Sequence, residues 1–214
     1  MRKILFTLLL AVPFIAAAQT TAPMGILVSQ TQGTIDWPKV VEENDLDYAF
    51  IMASVGATII DSRCGINMEQ AHKVAMPIGC VHRYDRHYSA QGQFDNFKAA
   101  VKGFHMDLAP AVCVFSDGPY DLNVKRIDAL LALFESEYGV KPLIMTTVDT
   151  YYKLFNLERY ASYHVIIVNE GLKFPVTRYT FWQYTGKEKV AGIMEYVPGL
   201  KLHPTYSLNN IKLK

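Results

Sequence analysis

The chain alternates between short apolar runs and longer segments whose apolar residues recur at helical spacing. The runs that read as strands are 25–29, 48–54, 77–84, 110–115, 142–147, 164–169 and 180–184. Several are apolar without a break, as in Ala111-Val112-Cys113-Val114-Phe115 and Val165-Ile166-Ile167-Val168. Strands buried on both faces read this way, which predicts a mostly parallel sheet covered by helices. Between the runs, Ile127, Leu130, Leu131 and Phe134 recur at helical spacing among Asp128, Glu135 and Glu137, and Gly139 offers a helix stop. Residues 91–101 predict a second helix with Phe94 and Phe97 on one face, and 69–75 a third. Alternating strand and helix means a doubly wound sheet or a barrel. Seven strands in so short a chain, with thin helical patterning late, favour α/β architecture of one kind: a single-domain, incomplete (β/α) TIM-like barrel.

The N-terminus changes the count of residues available to that barrel. Arg2 and Lys3 precede an apolar run over 4–15, and Ala16, Ala17 and Ala18 form a small-residue cleavage site before Gln19. This is the pattern of a secretory signal. The run is too short for a membrane span, which needs about 20 apolar residues. The expectation is a signal peptide over 1–18, a barrel domain over 19–214, and an exported protein that is periplasmic or secreted. No later stretch reads as a membrane helix.

Composition removes several function classes. The chain has 21 basic and 20 acidic side chains and no basic run, so nucleic acid is not an expected partner. Its three cysteines, Cys64, Cys80 and Cys113, fit no zinc spacing, and their odd number leaves at least one outside any internal pair. No metal or organic cofactor is implied. The 13 Tyr and 11 Phe suit carbohydrate faces, although packing alone uses aromatics in the same way.

Five ordered motifs carry a resemblance. Gly25-Ile26-Leu27-Val28-Ser29 is followed by Gln32-Gly33 and Ile35-Asp36-Trp37. Phe50 to Gly56 reads F-I-M-A-S-V-G, with Asp61 and Asn67 beyond it. Ile78-Gly79-Cys80-Val81-His82 and the run 110–115 come next, then Phe181-Trp182-Gln183-Tyr184 with Gly192-Ile193. The series resembles the Chalaropsis-type lysozymes of glycoside hydrolase family 25, whose motifs read G-I-D-V-S…Q-G-x-I-D-W, F-x-I-K-A-S-E-G, V-G-A-Y-H, P-V-L-D-V-E and F-W-Q-Y. The resemblance spans nearly the whole expected mature chain, and implies the family barrel and a peptidoglycan or related cell-wall glycan as partner.

The same motifs lack the family's acids. Leu27 stands at the Asp of G-I-D-V-S, Cys113 and Phe115 at the D-x-E, and Pro198 at a late V-D-x-N. Met52 replaces the family Lys. Glycosidic hydrolysis needs a proton donor and a second carboxylate beside an oxocarbenium-like transition state. Removing one such group typically lowers the rate by a factor of roughly a hundred to ten thousand. The resemblance therefore implies a glycan-binding pseudoenzyme with hydrolysis lost. A lone acid restored at Phe115 is expected to sit badly among apolar walls.

The residues leave other readings open. Relocated acids are one, with Asp117 and Glu170 as first candidates and Asp85 and Asp149 also at strand ends; rim acids commonly cap helices or face water. A Cys113–His82 thiol pair is a second, set against the ordinary reading of a buried Cys as an inert hydrophobe. A protein-binding module for an envelope partner is the third. The expected glycan-binding residues are Ser29, Gln32, Ser54, His82, Tyr84, Trp182, Gln183 and Tyr184, with Trp182 and Tyr184 equally suited to packing the barrel mouth.

Overall fold

A computed structural model describes residues 22–115, 120–171 and 178–213, so the expected signal peptide and Asp117 lie outside the described residues. In chain order the elements are β1 (Met24–Val28), α1 (Trp37–Glu43), β2 (Tyr48–Val55), β3 (Ile59–Ile60), α2 (Cys64–Lys73), β4 (Ile78–Arg83), α3 (Ala90–Ala100), β5 (Ala111–Cys113) and α4 (Tyr120–Tyr138). Then come β6 (Leu143–Thr147), β7 (Val165–Val168), β8 (Phe181–Glu188) and β9 (Val197–Leu202). Eight of the strands close a barrel in the order β1-β2-β4-β5-β6-β7-β8-β9, with β9 returning to β1. From β1 round to β8 neighbours are parallel, whereas β9 runs antiparallel to both β8 and β1. The two-residue β3 hangs on β2 outside the closure.

All seven expected strands are present, and so are the three expected helices. Gly139 takes the left-handed conformation (φ +67°) and its N–H bonds Glu135 O, which stops α4 where the sequence suggests. Two elements were not legible. Helix α1 is short, capped by the Asp36 carboxylate on Lys39 N–H, and it buries Trp37 and Val40. Strand β9 carries Pro198 and Gly199, residues that argue against a strand. Pro198 is tolerated there because the barrel needs only part of the ladder at that end.

Two apolar layers hold the molecule. Inside the barrel, Tyr48, Phe50 and Phe181 meet edge to face with ring centroids 5.2 to 6.0 Å apart, among Val81, Leu143, Ile166, Leu200 and Leu202. Space for these rings exists because Gly25 and Gly79 have no side chain: a Cβ on Gly25 would lie 2.2 Å from the Tyr48 ring, and one on Gly79 2.6 Å from Phe50. Outside, Ile51, Val112, Ile144 and Ile167 face the helical layer, in which Phe97 and Phe134 pack 4.7 Å apart. Burying one such ring contributes about 1.5–3 kcal/mol. Among the described residues no helix joins β8 to β9, which are linked directly by residues 189–196, with Val190 and Ile193 buried beside Val197.

Asp61, one of the resemblance positions, proves to be a loop tie. Its buried carboxylate accepts Gln30 N–H (2.8 Å) and Arg63 N–H (2.9 Å), joining the turn after β1 to the start of α2. Asp61→Ala strands both donors. Urea unfolding should show a loss of about 2–3 kcal/mol; a change below about 0.5 kcal/mol would show that the tie carries no load.

Candidate functional site at the barrel mouth

The mouth is the rim formed by the C-terminal ends of β1, β2 and β4 to β8. Inward residues alternate along each strand, so β4 presents Val81 and then Arg83, β5 presents Ala111 and Cys113, and β8 presents Phe181 and Gln183. The positions that the motifs equate with acids lie on this inner side. Leu27 is half-buried against the inner cluster, opposite Phe50. Pro198 is the residue beyond Gly199, which pairs with Ile26, so it stands beside Leu27. Cys113 is buried, and burial pushes its thiol up to about 12, with the Arg83 charge working against that rise. Phe115 is different: it is 42% exposed, a rim residue rather than part of an apolar wall. The expectation that an acid at Phe115 would sit badly is thereby corrected, because a charge there faces water.

The expected glycan-binding residues are not brought together in one groove. Gln183 points into the mouth, and its Nε2 donates to Glu170 Oε1 at 3.2 Å. Ser54 and His82 are fully buried on the outer side of the sheet, with His82 against the rings of Phe97 and Phe134. A bulge between Met52 and Ser54 is the cause, since it sets Ser54 opposite His82 on the outer face. Tyr84 is also buried in the outer layer, its hydroxyl without a partner. Trp182 and Tyr184 flank Gln183 and so lie on the outer side of the sheet, where Trp182 is buried and Tyr184 half-buried. The Trp182 indole donates to Asn169 O (2.8 Å), while Tyr184 donates to Glu188 (2.6 Å) and carries the Lys201 ammonium 4.3 Å from its ring centre. Trp182 borders an outer hollow of about 470 Å³ with Met24, Tyr179 and Lys201. Ser29 and Gln32 brace the turn after β1: the Gln32 side chain accepts Ser29 N–H (2.8 Å) and donates to Tyr196 O (2.9 Å).

The candidate acids separate as well. Glu170 is exposed at the mouth with Gln183 as its partner. Asp85 is held below the usual carboxylate range, first by the His87 backbone N–H and also by the His87 ring 2.8 Å away, which is the wrong direction for a proton donor. Asp149 is exposed and pairs with Lys153 at 2.6 Å. The thiol pair is absent: Cys113 faces into the barrel and His82 faces out, so the sheet separates them. Among the described residues no three His, Cys, Asp or Glu converge as a metal site, and no helix is long and apolar enough to cross a membrane.

Of the groups that meet at the rim, sequence reasoning singled out Tyr84, Asp85 and Phe115 and missed Val55, Arg83, Arg86 and His87. Together with the largely buried Tyr84, the residues Val55, Arg83, Asp85, Arg86, His87 and Phe115 border a hollow of about 320 Å³ at the ends of β2, β4 and β5. The signal was available in the charge-dense stretch Arg83-Tyr84-Asp85-Arg86-His87, directly after a strand.

Comparison with known proteins agrees with this barrel. The sequence model of Glycosyl hydrolases family 25 matches residues 26–193. YegX of Escherichia coli K12 is 27% identical over 184 residues, covering 79% of this chain; the chain spans 65% of YegX. Lysozyme M1 of Streptomyces globisporus is 24% identical over 199 residues, 84% of this chain and 67% of that protein. Among solved structures, a family 25 glycosyl hydrolase from Bacillus anthracis superposes with TM-score 0.78 at 23% identity, over 86% of this chain and 90% of its own. The bacterial lysozyme from Streptomyces coelicolor gives 0.80 at 22%, over 90% and 96%.

Proposed function

We propose that this chain, which belongs to family 25 of the glycosyl hydrolases, is an exported protein that binds cell-wall peptidoglycan without cleaving it. One observation carries the reading: the four positions that the family motifs give to acids hold Leu27, Cys113, Phe115 and Pro198, while of the described acids at the rim Glu170 has the amide of Gln183 beside it and Asp85 is engaged by His87. Cleavage by either stereochemical route needs two carboxyl groups about 5–9.5 Å apart, one protonated and one ionised. Leu, Phe and Pro have no proton to give, and a thiol pushed up to about 12 is neither the acid nor the anion at neutral pH. What supports binding is the family barrel with a hollow at its mouth bordered by Arg83, Asp85, Arg86 and His87, polar groups able to hold a wall polymer without supplying the two carboxyl roles of its transition state. The Arg2-Lys3 start, the apolar run over 4–15 and the Ala16–Ala18 site support delivery to the wall.

The test is co-sedimentation. Mature protein from Gln19 onward is mixed with purified, insoluble peptidoglycan and spun. Protein should pellet in a saturable way, and soluble peptidoglycan fragments should compete it off. A chain that stays in the supernatant at every peptidoglycan concentration would refute the binding role.

A further inference from the structure

We propose that Arg83 makes the barrel mouth a receptor for an oxyanion, a carboxylate or phosphate carried by the wall polymer. The proposal rests on the peptidoglycan-binding reading and specifies which chemical group enters the mouth. Arg83 is the last residue of β4, in register with Val55 on one side and Cys113 on the other, and two residues beyond the inward Val81. Alternation therefore turns it toward the mouth, where it borders the hollow with Val55 and Phe115. It is exposed, and among the described residues its guanidinium has no hydrogen bond or ion pair. The nearby carboxylate, Asp85, is engaged by His87 instead.

The setting suits anion capture. The hollow beside Arg83, about 320 Å³, also has Arg86, His87, Tyr84 and the His87-bound Asp85 on its edge, and Val55 and Phe115 as apolar sides. Apolar sides lower the local dielectric and strengthen a charge pair relative to open water. The backbone under Arg83 is fixed before any ligand arrives. Its carbonyl accepts Gly56 N–H at 3.0 Å, the next residue donates to Cys113 O at 2.9 Å, and Asp85 N–H is held at 2.7 Å by the fully buried Gln93. A guanidinium presents a planar fork that matches a carboxylate or phosphate two bonds at a time. An arginine that served only solubility would have no reason to stand on an inward register beside a hollow. Leu27, Cys113 and Phe115 carry no charge to oppose a negative group, and the Asp85 carboxylate on the hollow's edge is turned to His87.

Calorimetric titration of the mature chain with three probes tests this: a muropeptide bearing free carboxylates, a glycerol phosphate oligomer and neutral chitotetraose. One of the two anionic probes should bind at least about tenfold tighter than chitotetraose, and which one does so identifies the source of the oxyanion. Arg83→Gln should lower that affinity to the neutral level, while Arg83→Lys retains part of it, with unchanged unfolding midpoints showing that both variants are folded. Equal affinity for charged and neutral probes, no binding of any probe, or an Arg83→Gln protein that binds like wild type would overturn the inference. Equal binding of all three probes by a chain that pellets with peptidoglycan would leave the glycan reading standing while sinking this one. Anion binding by a chain that fails to pellet with peptidoglycan would do the reverse.

Discussion

Acidification from pH 7 to pH 4 should remove about 3 kcal/mol of stability through His82 alone. His82 is fully buried, and burial lowers its ring from 6.5 to about 4, with the Gln93 hydrogen bond working the other way. The hydrogen bonds fix its neutral form. Gln93 uses its amide N–H groups on Tyr88 O and Ser89 O, and its oxygen accepts Asp85 N–H. That oxygen therefore accepts from His82 Nε2, 3.4 Å away, leaving Nδ1 to accept the Ser54 hydroxyl at 2.8 Å. The sign follows from proton counts. Between pH 6.5 and about 4 the unfolded chain carries the proton and the folded chain does not, so stability rises with pH across that window. It is fully present above 6.5 and lost as pH falls. Urea unfolding at a series of pH values, paired with the NMR titration of His82, measures both sides. A folded-state value near 6.5, or a flat profile between pH 4 and 7, would contradict the buried-neutral assignment.

How much of this was readable in the chain differs between fold and site. The strands were legible because barrel strands covered on both sides are apolar end to end, and 111–115 and 165–168 have no other use. The helices α3 and α4 were legible because Phe94, Phe97, Ile127 and Phe134 repeat on one face. Strand β9 was hidden by Pro198 and Gly199, and α1 by having too few turns to show a period.

The site was less legible because strand direction does not say which face is inward. Trp182, Gln183 and Tyr184 are three polar or aromatic neighbours, and only the register with Ile167, Val168 and Leu200 shows that the middle one enters the barrel. Ser54 and His82 are a subtler case. Their strands end at the mouth, yet one extra residue in β2 and the outward phase of β4 bury both behind the wall. A shift of one residue exchanges the two faces of a strand, and nothing in the local composition reports it. Arg83 was overlooked for the complementary reason: in sequence it looks like the solvated end of a strand, and its inward phase becomes visible only from the position of Val81.

The second large effect is on catalysis. Each missing acid removes roughly two to four powers of ten in rate, and the losses are not additive, because the acids act as a unit. The rate should therefore fall to the uncatalysed background. Among the described residues Glu170 is paired with the Gln183 amide and Asp85 is held ionised by His87, so neither is set up as the proton donor that one of the two roles requires. The decisive measurement is the release of reducing ends from purified peptidoglycan by the mature chain, run beside an active family 25 lysozyme at equal concentration. The account predicts release indistinguishable from a buffer control, with the protein still pelleting with the intact polymer. Release at a rate like that of the active lysozyme, abolished by Glu170→Gln, would contradict it and make Glu170 a working acid of this barrel.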